Sequence, residues 1–184
     1  MIYLASPFFN GNENAVLDIV EDSFDKSKLE YFSPRKGDGN ENKILPEEKQ
    51  RLAPKIFEMD IVNMQKADLL FAATDGYPFE FNGHKGIARD AGTSFELGFF
   101  YCKQRLAGLK PNIVTFSSRG HGSNLMIAES SQLHLKDIEE VYSFLEFSAR
   151  YIDKHQTYFG WRYVIDKYKD KFDAKGMKTD VHNQ

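Results

Sequence analysis

The segment Leu69-Leu70-Phe71-Ala72-Ala73 is an unbroken run of five apolar residues between Asp68 and Thr74. A strand with one solvated face alternates apolar and polar side chains, whereas a continuous apolar run is typical of a parallel strand that is covered on both faces. Covering both faces of a sheet requires helices on each side of it. The segment therefore predicts an α/β fold.

Strand and helix patterns alternate along the chain on both sides of this segment. Because strands alternate with helices, the chain is predicted to form a doubly wound, mostly parallel five-stranded sheet with helices on both faces. The apolar periodicity predicts strands over 2–6, 31–32, 69–73, 112–116 and 132–135, and helices over 12–28, 46–67, from 93, from 124, and over 138–152.

The domain organisation is predicted from length and composition. A chain of 184 residues that is 41% hydrophobic suits one domain with a full core. Residues 1–155 are assigned to that domain, and residues 156–184 form an aromatic and basic C-terminal extension of unknown role. Two alternatives stay open for the extension: packing over a neighbouring subunit, or one docked helix followed by a frayed end.

Charge and cysteine content exclude several classes of partner. The net charge of -3 provides no attraction for nucleic acid or an anionic membrane surface. The single cysteine cannot form an internal disulfide, which is typical of a reducing compartment. The N-terminus lacks the basic and apolar regions of a signal peptide, and no apolar window approaches transmembrane length. We therefore expect a soluble cytoplasmic protein that binds neither nucleic acid nor membrane.

Several motifs of common enzymes are missing from the sequence. No Gly-rich phosphate loop follows the first strand, and no Ser or Cys lies in a nucleophile elbow. The five histidines are scattered without metal-ligand spacing, so neither a metal nor a cofactor is expected. The remaining chemistry is that of the carboxylates Asp60, Asp90 and Glu96.

Glu96 lies in a segment that otherwise has the composition of a buried helix. Phe95, Leu97, Phe99 and Phe100 surround it, and an ionised carboxylate there is costly unless it is paired or used. The helix is predicted to begin with Thr93 as its N-cap, which puts Glu96 in the first turn. Two interpretations follow: Glu96 completes a capping box with Thr93, or it is a functional carboxylate.

Asp60 lies in the predicted inward-facing stripe of the helix over 46–67, together with Phe57, Ile61 and Met64. A carboxylate in such a stripe faces either a buried partner or a cleft. In a doubly wound sheet, ligands bind outside the carboxyl ends of the strands, and that edge also receives the segment 74–89. We predict this segment to be a loop, whose aromatic residues either form a lid or pack on the surface.

The pattern resembles the nucleoside 2-deoxyribosyltransferases, a family with a flavodoxin-like fold. The likeness covers residues 1 to about 150 and rests on four places. They are Ile2-Tyr3-Leu4-Ala5; Asp60 eight residues ahead of Asp68; Asp90-x-Gly92-x-x-x-Glu96-Leu97-Gly98; and Asn124-Leu125-Met126.

The resemblance implies a role for each matching residue. Glu96 is similar to the nucleophile that forms a covalent deoxyribosyl-enzyme, and Tyr3 to the tyrosine that orients it. Asp60 is similar to the acid that protonates the departing base. Asp90 and Gly92 match the sugar-binding part of the motif. Asn124 resembles an asparagine that completes the active site of an adjacent subunit, so a homo-oligomer acting on nucleosides and free nucleobases is expected.

Elementary chemistry agrees with these implied roles. Cleavage of an N-glycosidic bond needs a carboxylate close to the sugar and a proton donor for the base. A donor at Asp60 would need a raised pKa, and Glu96 would need to stay ionised. Two alternatives stay open: an N-glycosidase that hydrolyses deoxynucleosides or their 5'-monophosphates, and a non-catalytic nucleoside sensor in which Glu96 is only a cap. The negative charge of Asp90 would repel a 5'-phosphate.

Overall fold

The computed structural model describes residues 1–37, 46–118, 125–152 and 156–173. Seven strands and six helices lie in this part of the chain, with a short 3-10 turn at Pro34–Lys36. In chain order they are β1 (Ile2–Ala5), α1 (Gly11–Ser27), β2 (Tyr31–Phe32), α2 (Pro46–Lys66), β3 (Leu69–Ala73), β4 (Tyr77–Phe81), β5 (His84–Ala88), α3 (Ala91–Leu106), β6 (Ile113–Phe116), α4 (Leu125–Ser130), β7 (Leu133–Leu135), α5 (Ile138–Tyr151) and α6 (Tyr158–Asp173).

The main sheet has five parallel strands in the order β2-β1-β3-β6-β7. Numbered within the sheet alone, this is the order 2-1-3-4-5 of flavodoxin-like folds. β3, the continuous apolar segment Leu69–Ala73, is the central strand, and all five of its residues are buried. The predicted α/β class and five-stranded sheet are confirmed.

Helices cover both faces of this sheet and produce two hydrophobic cores. On one face, buried residues of α1, α5 and α6 pack against alternate residues of the strands, including Ile2 and Phe71. On the other face, buried residues of α2 and α3 pack against the intervening residues, including Tyr3 and Leu70. Because successive strand residues point to opposite faces, Tyr3 points toward α2 and α3.

The C-terminal helix α6 is part of the first core. Its buried residues are Trp161, Val164, Ile165 and Tyr168, and the Tyr168 ring meets the Phe144 ring of α5 edge-on at a centroid distance of 5.2 Å. A boundary near residue 155 therefore does not separate two cores.

The segment predicted to be a loop, 74–89, contains the antiparallel hairpin β4–β5, so that prediction was wrong. Asn82 and Gly83 connect the strands with φ angles of 49° and 77°. Positive φ at both central residues is characteristic of a type I′ turn, for which Asn-Gly is a preferred pair. The signal was present in the sequence, but the surrounding Gly and Pro residues hid the strand pattern.

The stripe predicted for α2 is only partly correct. Met64 is buried, whereas the Phe57 side chain is 55% exposed and lies beside Phe95 of α3, with ring centroids 6.0 Å apart. The stripe is buried at Met64 and exposed at Phe57, nearer the N-terminus of α2. Asp60 lies between these two residues, at the border of the core, and is partly buried. In the described part of the chain, no helix is long and apolar enough to cross a membrane.

Candidate active site

Two helices and one strand bring the predicted site residues to one face of the sheet. Tyr3 comes from β1, Asp60 from α2, and Asp90 and Glu96 from the start of α3. α3 packs against both β1 and β3, because Leu97 and Phe100 share a buried cluster with Tyr3 and Leu70. This packing places the first turns of α3 beside the carboxyl ends of the central strands, where ligands bind in this type of fold.

The closest contact in the site joins Tyr3 to Glu96. The Tyr3 hydroxyl donates a hydrogen bond to Glu96 Oε1 at 2.6 Å, across 93 residues of sequence. Tyr3 is fully buried, and its ring packs beside Phe32 with a centroid distance of 5.5 Å. Burial raises the pKa of Tyr3 well above its usual range, and the negative charges of Glu96 and Asp60 raise it further. Tyr3 therefore remains a hydrogen-bond donor throughout the physiological pH range.

α3 begins one turn earlier than the sequence predicted. Asp90, rather than Thr93, is the N-cap, and its Oδ2 accepts a hydrogen bond from the Thr93 backbone N–H at 2.6 Å. Glu96 consequently lies in the second turn, and the capping box between Thr93 and Glu96, one of the two interpretations of the sequence, is not formed. Asp90 displaces that arrangement because its carboxylate already accepts the amide that Glu96 would have capped.

The electrostatic environment of Glu96 favours its protonated form. Burial raises the pKa of Glu96 to about 8; the Tyr3 hydrogen bond opposes this, and the charges of Asp60 and Asp90 add to it. Because Glu96 lies in the second turn, the helix dipole, which acts mainly on the first turn, does little to offset this effect of burial in the free protein. Of the three neighbours, Tyr3 is the one that favours the carboxylate form of Glu96.

A small pocket, partly open to solvent, lies beside Asp90. Arg89, whose guanidinium donates to the Thr74 carbonyl, contributes to its wall. Asp75, also in the wall, accepts hydrogen bonds from the Ser117 hydroxyl at 2.9 Å and the Ser118 backbone N–H at 3.1 Å. The lining residues are Ala73, Thr74, Asp75, Arg89, Asp90, Thr93, Ser94, Leu97 and Ile127.

The structure thus brings four of the six predicted site residues into one electrostatically coupled group: Tyr3, Asp60, Asp90 and Glu96. Gly92 lies against this group, since a Cβ atom added there would be 3.1 Å from Asp90 Oδ2. Asn124 lies outside the described residues. The pocket adjoins the group on the Asp90 side, and its wall does not include Tyr3, Asp60 or Glu96.

Five polar residues of the pocket were not predicted as site residues: Thr74, Asp75, Arg89, Thr93 and Ser94. Asp75 follows β3 by two residues, a position at the ligand-binding edge that could have identified it. Thr93 was assigned to a cap, and its place in the pocket depends on where α3 begins. Over the described ranges, no group of three or more His, Cys, Asp or Glu side chains could hold a metal ion.

Comparisons with known proteins agree with this architecture. A solved 2-deoxyribosyltransferase from the psychrotolerant bacterium Bacillus psychrosaccharolyticus is 27% identical, with a TM-score of 0.58, over 77% of this chain and 89% of its own. A conserved protein from Enterococcus faecalis V583 shares the fold, with 20% identity and a TM-score of 0.53 over 79% of this chain and 96% of its own. No curated protein matches the chain.

The family model of the nucleoside 2-deoxyribosyltransferases matches residues 2–133. This range contains β1 through the start of β7, and with them Tyr3, Asp60, Asp90 and Glu96. The chain therefore belongs to the nucleoside 2-deoxyribosyltransferase family and is an enzyme of that kind.

Proposed function

We propose that the protein transfers the 2-deoxyribosyl group of a 2'-deoxyribonucleoside from one nucleobase to another through a covalent intermediate on Glu96. The observation that carries the proposal is the 2.6 Å hydrogen bond from the Tyr3 hydroxyl to Glu96, with Asp60 and Asp90 close enough to shift the Glu96 pKa. A carboxylate held by a buried donor beside two other acids suits nucleophilic attack on a sugar.

In the first half-reaction, a Glu96 carboxylate oxygen attacks C1' as the bond from C1' to the base nitrogen breaks. The bonding electrons pass to the base, and Asp60 supplies the proton that neutralises it. Positive charge develops on the sugar, and the Glu96 carboxylate lies where it stabilises that charge. The products are a free base and a deoxyribosyl ester of Glu96.

In the second half-reaction, a nitrogen of an incoming base attacks C1' and the ester bond to Glu96 breaks. Asp60 accepts the proton that the incoming base loses, which returns both carboxyl groups to their starting states. Each displacement inverts C1', so the two together retain its configuration. The chemistry requires no cofactor, because the nucleophile and the acid are both side chains of the chain.

The mechanism depends on how many protons Glu96 and Asp60 hold together. Attack requires Glu96 ionised and Asp60 protonated, so the two groups together hold one proton in the reactive state. Strongly interacting carboxyl groups titrate as a unit, and one proton shared between them is the expected form over an intermediate pH range. The hydrogen bond from Tyr3 favours the microstate in which the proton lies on Asp60, because it stabilises the Glu96 anion.

The remaining residues are proposed to bind the sugar and complete the site. Asp90 accepts hydrogen bonds from deoxyribose hydroxyl groups, and Gly92 lets the chain approach the Asp90 carboxylate closely. Asn124 is proposed to reach the active site of an adjacent subunit, which makes the working enzyme a homo-oligomer. We further propose that the protein acts in the cytoplasm, in the salvage of purine and pyrimidine deoxynucleosides.

The direct test is incubation with deoxyadenosine, with and without cytosine or another free base, including a purine, followed by chromatography of the products. Formation of a new deoxynucleoside that depends on the added base is expected, and the bases that are accepted distinguish a purine-only enzyme from one that also uses pyrimidines. Formation of free deoxyribose at the same rate without an acceptor base would show that the protein is an N-glycosidase and not a transferase. Absence of any turnover would support the alternative that the protein is a nucleoside sensor. Rapid denaturation during turnover should trap protein heavier by one deoxyribosyl group, on a peptide that contains Glu96.

Two glutamine variants locate the nucleophile. Glu96→Gln should lose turnover by about 10³-fold or more and form no trapped adduct, since an amide is a poor nucleophile. Glu146→Gln is the matched control, because the Glu146 side chain is 70% exposed on α5, on the opposite face of the sheet. If the Glu96→Gln protein still accumulated the adduct, Glu96 would not be the nucleophile.

A further inference from the structure

Thr93 carries a buried hydroxyl that the fold itself does not use. The residue is only 5% exposed, and within the described part of the chain its Oγ1 has no hydrogen-bond partner. A buried hydroxyl without a partner is unfavourable, because it loses its hydrogen bonds to water on folding and gains none in return. Thr93 also lines the pocket beside Asp90. A group of this kind is suited to a ligand that enters the pocket and completes its hydrogen bonding.

Other hydroxyl groups in the pocket wall are already used by the protein. The Thr74 hydroxyl donates to the Phe116 carbonyl at 3.1 Å, and the Ser94 hydroxyl donates to the Asp90 carbonyl at 2.8 Å. The backbone N–H of Thr93 is also used, because it donates to Asp90 Oδ2. Its side-chain hydroxyl is thus left to interact with whatever occupies the pocket.

We propose that Thr93 is a substrate-binding residue whose hydroxyl donates a hydrogen bond to the same deoxyribose hydroxyl that donates to Asp90. The inference rests on the proposed function and names a group within its sugar site. Thr93 precedes Glu96 by three residues, so the two side chains lie about one turn apart on neighbouring parts of the helix surface. A sugar hydroxyl held at Thr93 therefore sits beside the nucleophile.

The pair formed by Asp90 and Thr93 would select a hydroxyl group over a phosphate. A hydroxyl both donates and accepts, so it can give its proton to the Asp90 carboxylate and accept one from Thr93. A phosphate oxygen accepts only, and its negative charge would face the Asp90 carboxylate. The two residues together thus give a physical reason for a preference for the free hydroxyl over its phosphate ester at the position that they bind.

The test compares Thr93→Val, which keeps the shape and removes the hydroxyl, with Thr93→Ser, which keeps the hydroxyl. Transfer to cytosine is measured with deoxyadenosine and with the two analogues that lack its 3'- or its 5'-hydroxyl. Thr93→Val should lower kcat/KM for deoxyadenosine by about tenfold, the usual contribution of one hydrogen bond, while Thr93→Ser stays within about threefold of the wild type. With the analogue that lacks the hydroxyl contacted by Thr93, Thr93→Val and the wild type should have the same kcat/KM. This result identifies the hydroxyl that Thr93 contacts.

An equal loss with all three nucleosides would assign Thr93 to packing, and no loss with any of them would likewise overturn the proposal. The melting temperature gives a second readout: Thr93→Val should melt at or above the wild type, because it removes an unpartnered buried hydroxyl. A marked fall would mean that the hydroxyl has a structural partner.

Binding of deoxyadenosine, measured by calorimetry on the same variants, separates this proposal from the proposed function. If the wild-type protein shows no transfer but Thr93→Val binds deoxyadenosine more weakly than the wild type, Thr93 would be a sugar ligand and the proposed transferase activity would be wrong. Normal transfer and normal binding by Thr93→Val would show that Thr93 is not a sugar ligand, and the proposed transferase activity would stand. Absence of binding by the wild-type protein would overturn both.

Discussion

The Tyr3 hydroxyl and the Glu96 carboxylate meet at 2.6 Å, and this contact makes the hydroxyl an electrostatic partner of the proposed nucleophile. Tyr3→Phe removes a donor that lowers the Glu96 pKa, so that pKa should rise above its present value of about 8. Because Glu96 attacks as the anion while Asp60 must hold a proton, wild-type kcat/KM should increase with pH up to about 8 and fall at higher pH, where the proton shared by the two groups is lost. The variant should be about 10–100-fold slower at neutral pH, with its inflection at higher pH.

The control for this substitution is Tyr163→Phe, which removes a hydroxyl from a half-exposed tyrosine on α6. Its pH profile should coincide with that of the wild type. A Tyr3→Phe profile that is lower at every pH but has an unshifted inflection would mean that Tyr3 positions Glu96 without affecting its charge.

Glu96 should also make stability depend on pH. Its pKa is raised from 4.5 in the unfolded chain to about 8 in the fold. Between these values the folded protein keeps a proton that the unfolded chain has lost, so the free energy of unfolding falls as pH rises from about 4.5 to 8. Glu96→Gln should abolish this decline and be more stable than the wild type at pH 8–9, by roughly 2–4 kcal/mol.

Urea unfolding at several pH values measures this effect. The two proteins should differ little near pH 5 and diverge as pH rises. Parallel curves for the wild type and Glu96→Gln would show that the Glu96 carboxyl is not under electrostatic strain in the folded state.

At the scale of the helix, Asp90 has two roles that substitutions can separate. It caps α3 through the Thr93 backbone N–H, and it is the proposed acceptor for sugar hydroxyls. Asn is as good an N-cap as Asp, so Asp90→Asn should keep the melting temperature within a few degrees while lowering kcat/KM. Asp90→Ala should lose both the activity and about 1 kcal/mol of stability.

The matched control is Asp137, the N-cap of α5, which accepts the Glu140 backbone N–H at 2.8 Å. Asp137→Ala should cost a similar free energy of unfolding without a specific effect on kcat/KM. If Asp90→Asn kept full activity, Asp90 would be only a helix cap and the sugar would require another acceptor.

The same helix start illustrates what local sequence could and could not predict. Strand and helix positions followed from apolar periodicity, and most boundaries fell within one or two residues of the observed ones. The cap of α3 was misplaced because Asp90 and Thr93 are both good caps, and only the structure shows which carboxylate or hydroxyl reaches the amide. In the hairpin, Asn82-Gly83 was a usable turn signal that was outweighed by the flanking residues.

At the scale of the whole molecule, the parallel sheet is what assembles the site. Tyr3 and Glu96 are 93 residues apart, and no local pattern connects them. The sequence predicted that loops would meet at the carboxyl edge of the sheet, but Tyr3 was assigned a role only through the family resemblance. An apolar strand does not reveal which of its aromatic residues points at a carboxylate, since that depends on which face each helix covers.

The C-terminal helix α6 provides a whole-molecule prediction, because it contains Trp161, the chain's one tryptophan, which is fully buried in the core shared with α1 and α5. If α6 is an integral part of the fold, the red shift of Trp161 emission and the loss of helical circular dichroism should occur at the same urea concentration. An emission change at lower urea would mean that α6 undocks from a core that stays folded.

Two substitutions on α6 measure what its docking contributes. Trp161→Ala should cost about 3–5 kcal/mol, because it leaves a large cavity among buried side chains of α5 and α6. Phe159→Ala, at a side chain that is 76% exposed on the same helix, should stay within about 0.5 kcal/mol of the wild type. Since the core of α6 lies on the face of the sheet opposite Tyr3 and Glu96, Trp161→Ala should lower kcat/KM only in proportion to the fraction unfolded. A loss of kcat/KM in fully folded Trp161→Ala protein would show that packing on one face of the sheet controls the geometry of the site on the other.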